Sequence, residues 1–202
     1  MCKSSGCSSA TGPKLKCILF ASLFLILTTG VGNAESNNFV TMAPEPRWTA
    51  WWLRAEFHPF DVEVRGIPVR KLRATWCKAT EFRKELFPPD LASDLDDSGG
   101  LSFTVDGSFD GSKTRQTALV GAYETCSGKK GSFLLILTWP QARAPVIRFV
   151  HEMGRPFGML ATSTDSTLAV LHCLECDHFT KFKWDKSRRR FVQLRFREDE
   201  PF

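Results

Sequence analysis

Residues 117–139 read TALVGAYETCSGKKGSFLLILTW. Two apolar runs, 117–123 and 132–139, flank the short polar segment Ser127-Gly128-Lys129-Lys130-Gly131. Each run has the length of a strand and is rich in residues that suit one. Two glycines in so short a connection predict a hairpin loop. The runs are nearly continuous instead of alternating, so they belong to strands with little contact with water.

Working outward, the same pattern recurs in weaker form. Upstream, Leu101, Phe103 and Val105 alternate with polar residues and predict a strand with one buried face. Downstream, 146–150 and 167–172 read as short strands. Phe182 and Trp184 alternate, Asp185-Lys186-Ser187 turns the chain, and Phe191, Val192, Leu194 and Phe196 complete a last hairpin. Between Trp48 and Val69 the chain is aromatic and β-branched, which predicts two short strands, with Pro59 pointing to a sheet edge. The strongest helix signal is Thr75 to Phe87. Thr75 can cap, Trp76, Ala79, Phe82 and Leu86 recur at three- and four-residue steps, and Pro88-Pro89 follows. The predicted fold is strand-rich α+β: an antiparallel sheet or half-barrel of about seven or eight strands with one main helix near 75–87.

The N-terminus reads differently. Residues 1–16 carry Lys3, Lys14 and Lys16 without an acid, 17–32 are almost wholly apolar, and Gly32-Asn33-Ala34 precedes Glu35. This order predicts a secretory signal peptide over 1–34 and export to the periplasm or the outside of the cell. A polar leader over 35–47 and a single domain over 48–202 complete the predicted organisation. Removing 1–34 takes three of 27 Lys and Arg and none of 22 acids, so the net charge falls from +5 to +2. A nearly neutral domain argues against nucleic acid as the partner. Cys77, Cys126, Cys173 and Cys176 remain, and an even number in an exported chain predicts disulfides of open connectivity.

Four stretches invite a chemical reading. Residues 107–121, GSFDGSKTRQTALVG, resemble the calcium-loop-then-strand unit of FG-GAP/VCBS-type propeller blades. More loosely, the chain is similar to single-domain exported bacterial proteins that carry such a hairpin with a Cys-x-x-Cys. The resemblance implies a Gly-rich turn leading into a buried strand. The family's calcium carboxylates fall on Ser108, Asp110, Ser112 and Gln116, so one carboxylate survives, where calcium takes six to eight oxygens. Asp94 to Gly99 fits the first half of an EF-hand loop, but the twelfth position is Val105 and a solvated turn explains it as well.

The third stretch, His172-Cys173-Leu174-Glu175-Cys176-Asp177-His178, offers Cys173, Cys176, His172 and His178 as zinc ligands, or a redox dithiol. Neighbouring strand residues point to opposite faces, so a structural disulfide is the simpler expectation. Neither zinc nor calcium is the favoured cofactor. The fourth stretch is a basic hairpin, where Lys181, Lys183, Lys186, Arg188, Arg189 and Arg190 surround Trp184. It could dock an anionic envelope component or a protein partner, or simply be a sheet's solvated face.

No catalytic set emerges. His151-Glu152 lacks the second His of a zincin helix, and neither a nucleophile elbow nor a phosphate loop is present. The sequence thus predicts an exported, non-enzymatic binding or envelope-associated domain. The alternative is a metal- or redox-active protein built on Cys173-x-x-Cys176.

Overall fold

The computed structural model describes residues 38–44, 49–96, 99–140, 144–162, 167–174 and 178–194, all within the unit Ser36–Phe202. Strand β1 (Val40–Met42) pairs antiparallel with β2 (Ala55–Phe57), which follows one helical turn, α1 (Trp51–Arg54). The expected leader is therefore partly structural. Phe39 is 1% exposed and packs on Phe57, Phe82 and Phe87. One large ring buried this way outweighs the polar composition around it.

A tight hairpin joins β3 (Glu63–Val64) to β4 (Ile67–Pro68). Arg65 and Gly66 turn it with φ of 52° and 75°, the left-handed pair that two-residue hairpins require. Helix α2 (Val69–Leu72) then leads into strand β5 (Trp76–Glu81).

The helix expected over 75–87 is not formed. Those residues make β5 and a single 3-10 turn at Lys84–Leu86. The cause of the misreading is a bulge. The pairing register shifts between Trp76 and Lys78, so Cys77 is an extra residue. Trp76 and Ala79, three apart, then share one face, as they would on a helix. Phe82 is buried against the opposite face. Pro88-Pro89 does not end a helix but opens one, α3 (Pro89–Asp96), consistent with the tolerance of the first turn for proline. That helix also takes in Asp94–Asp96, so the EF-hand-like stretch is not a loop throughout, and Asp97 and Ser98 lie outside the described residues.

Eight further strands follow: β6 (Thr104–Gly107), β7 (Gln116–Thr125), β8 (Lys130–Thr138), β9 (Val146–Met153), β10 (Met159–Thr162), β11 (Leu168–Leu171), β12 (Phe179–Asp185) and β13 (Arg190–Gln193). All pairings among the described strands are antiparallel, in sheets of two, two, four and five strands. In the largest, β7, β8 and β9 run in order, while β5 and β6 share the other edge of β7 end to end.

This sheet is buried on both sides, which explains the continuous apolar runs. Ala118, Val120, Ala122, Leu134 and Ile136 face the cluster built on Phe39, Phe82 and Phe157. Leu119, Tyr123, Phe133, Leu135 and Leu137 face a second cluster roofed by Val64, Ile67, Val69 and Leu72. Gly121 lies opposite Phe133, and a Cβ there would sit 2.4 Å from the Thr80 carbonyl oxygen and 2.8 Å from the Phe133 ring. Only glycine admits that approach.

The four-stranded sheet is the meander β10-β11-β12-β13. Leu160, Leu168, Val170 and Phe182 bring its inner face into the first cluster. The two large sheets meet at both edges without merging into a closed barrel. Ser102 bridges to Leu160 at one edge, and Phe149 of β9 packs on Phe182 and Phe191 at the other. Among the described residues no helix is long and apolar enough to cross a membrane.

Candidate functional site

Among the described residues, a cleft of about 510 Å³ lies beside the β11–β12 connection. That volume falls in the range of small-molecule sites. Ala50, Trp52 and Leu53 line it from α1 and the residue before, Arg155 and Pro156 from the β9–β10 connection, and His172, Cys173 and His178 from the far side. Trp51 anchors α1 by packing against Phe157, ring centroids 5.1 Å apart, so its neighbours are turned outward. Leu53 is 64% exposed. Arg155 is exposed, but its backbone is fixed because its carbonyl accepts the Ser132 hydroxyl.

His172 is buried and fully engaged. Its Nδ1–H donates to the Phe157 carbonyl at 3.1 Å, and Nε2 accepts the Thr180 hydroxyl at 3.0 Å. Burial holds its pKa below the ordinary histidine value, so the ring is neutral at physiological pH. With both nitrogens used it has none to offer a metal or a substrate. Its backbone N–H donates to the His178 carbonyl, and the two imidazoles lie 5.5 Å apart. His178 is exposed at the mouth.

The zinc alternative, which is not the favoured one, requires two thiolates. Cys173 is in a disulfide, and Cys77 and Cys126 form another. Cys176 lies outside the described residues. Cys173 is also 5% exposed, so a ligand or nucleophile role is closed to it in this state. Among the described residues no group of three or more His, Cys, Asp or Glu could hold a metal ion.

The basic hairpin forms as read, with its turn where Asp185-Lys186-Ser187 placed it. Asp185 accepts the backbone N–H groups of Ser187 and Arg188 and the Ser187 hydroxyl, which holds its pKa below the usual carboxylate value. Its aromatics do not face outward with the cations. Phe182 and Phe191 are buried, and Trp184 packs on Phe191 and under the Arg148 guanidinium. Lys186, Arg188, Arg189 and Arg190 are exposed, while Lys181 and Lys183 stand on the strand itself. This turn and the cleft lie at opposite ends of β12, roughly 20 Å apart at the rise of a strand. They do not form one site.

The loop over 107–116 closes on itself. Ser108 Oγ accepts Lys113 N–H, Asp110 Oδ1 accepts Ser112 N–H, Ser112 Oγ accepts Thr114 N–H, and Gln116 Oε1 accepts Phe109 N–H. Each of the four side chains that stand at the resemblance's calcium positions thus accepts a backbone N–H of the loop itself. Burial alone would raise the Asp110 pKa, but the bonds from Ser112 and the charge of Arg148, 3.2 Å from Oδ2, outweigh it and keep the group ionised.

Sequence reading found His172, Cys173 and His178 but missed Trp52, Leu53, Arg155 and Pro156, which complete the cleft. No family of known proteins matches the chain, nor does any curated protein or solved structure.

Proposed function

We propose that the protein is an exported, non-enzymatic binding domain, and that it takes its ligand in the cleft beside His172. One observation carries this: half-buried Trp52 and exposed Leu53 line the same hollow as the exposed, cationic Arg155. An apolar wall with a positive charge beside it selects a molecule with an apolar body and an acidic group. The full engagement of His172 supports binding over catalysis, because no free general base faces the hollow from that ring.

The test uses two dyes of one shape, anilinonaphthalene sulfonate and its neutral parent phenylnaphthylamine, followed by fluorescence. Both bind the native protein. Arg155→Glu weakens the sulfonate by about tenfold, the worth of one charge-assisted contact, and leaves the neutral dye unchanged. Leu53→Asp weakens both. Failure of either dye to bind, or equal sulfonate affinity in Arg155→Glu, overturns the reading.

A second reading rests on the exposure of Lys186, Arg188, Arg189 and Arg190 at the hairpin tip. They would hold the domain against an anionic envelope component while the cleft remains open.

A further inference from the structure

The Cys77–Cys126 disulfide has a cation seated on it. Arg70 Nη2 lies 3.4 Å from the Cys77 sulfur and 3.2 Å from the Cys126 sulfur. The guanidinium is placed by α2, whose Val69 and Leu72 are buried in the second core cluster on either side of it. Cys126 is exposed at the β7–β8 turn, and Cys77 is half-buried at the β5 bulge. A positive charge beside a sulfur favours its thiolate, and a low-pKa thiol is the better leaving group. Exposed disulfides are the more labile class in thiol exchange.

We propose that Cys77–Cys126 is a thiol-exchange site, modified reversibly by a low-molecular-mass thiol. The thiol loses its proton to solvent and attacks the exposed Cys126 sulfur. A new sulfur–sulfur bond forms between the small thiol and Cys126 as the bond to Cys77 breaks, and the electron pair leaves on Cys77 as a thiolate paired with Arg70. No net oxidation occurs, and the reverse attack by Cys77 restores the disulfide and releases the thiol.

The fold tolerates this opening. Cys77 is the bulged residue and has no Cα partner on β7, so Lys78 to Glu81 keep their register with Gly121 to Glu124 when the bridge opens. Trp76 is fully buried and stacked on Tyr123, which keeps the Cys77 thiolate beside Arg70 and ready to close again. This site is independent of the cleft, whose Cys173 belongs to another disulfide.

The experiment exposes the native full-length protein to reduced glutathione, traps thiols by alkylation, and maps each cysteine by peptide mass spectrometry. The expected product carries glutathione on Cys126 and an alkylated Cys77, formed much faster than the protein unfolds. Arg70→Ala slows its formation about tenfold, because the departing thiolate loses the cation beside it, and Arg70→Lys restores part of the rate. A second measurement stands if Arg70→Ala misfolds: in Cys126→Ser, the pH dependence of Cys77 alkylation has a midpoint well below the free-thiol value of about 8.5. Adduct on Cys77 instead of Cys126, reaction only on unfolding, an unchanged rate in folded Arg70→Ala, or a midpoint at or above the free-thiol value overturns the proposal.

Discussion

Tyr123 is the one tyrosine of the chain, which makes its surroundings measurable. It stacks on Trp76 with ring centroids 4.3 Å apart and donates its hydroxyl to Glu152 Oε2 at 3.0 Å. Trp76 Nε1–H donates to the other oxygen of the same carboxylate at 3.1 Å. Burial first, and the Glu152 hydrogen bond and charge after it, push the phenol up to about 12. The unfolded chain releases the same proton near pH 10. The fold thus favours the protonated phenol: this stabilisation is complete below about pH 10 and is lost as pH rises through about 12. Phenolate absorbance should titrate near 12 in native protein and near 10 in urea, and Glu152→Gln should bring the native midpoint down. A native midpoint at the unfolded value would deny the carboxylate its role.

At the level of elements, β1 is the least expected and the most exposed to test. Phe39→Ala removes a ring that touches Phe57, Phe60, Phe82 and Phe87. Urea denaturation should show a loss of about 3–5 kcal/mol, the cost of truncating a fully buried phenylalanine. A loose leader would lose almost nothing. The sequence concealed β1 because a short apolar stretch interrupted by Thr41 gives no period to read. It displayed β7 and β8 because their periods hardly matter once both faces are covered. It misdirected at β5, where a single bulged residue converts a two-residue alternation into a three-residue step. The β12–β13 turn was legible because Asp185 and Ser187 are residues that bond to their own backbone.

For the molecule as a whole, the candidate site shows the limit of linear reading. His172, Cys173 and His178 stand close together in sequence, but Trp52 and Arg155 come to them from distant segments through the packing of two sheets. Nothing local marks either as a wall of the cleft. The charge distribution was more legible, since it depends on strand alternation alone. The aromatics of the basic hairpin turned inward and the turn cations outward, as an antiparallel edge demands. Replacing Arg188, Arg189 and Arg190 together with Ser should leave unfolding within about 0.5 kcal/mol of wild type, as for other surface changes. On the second reading above, the same triple variant loses a salt-sensitive retention on heparin that the parent shows. A parent that flows through leaves those arginines as ordinary surface.

The double burial of the central sheet also decides where the chain is in danger. Residues 132–138, SFLLILT, are uncharged, rich in β-formers and free of proline, the composition of a cross-β spine. In the folded protein both edges of that segment are taken, by β7 on one side and β9 on the other. Before folding they are bare. Lys129 and Lys130 ahead of it and Pro140 behind it are the residues that interrupt self-association. Resistance to stacking is therefore a property of the folded chain more than of its composition, and whatever delays the closing of β9 over β8 lengthens the time in which copies can stack.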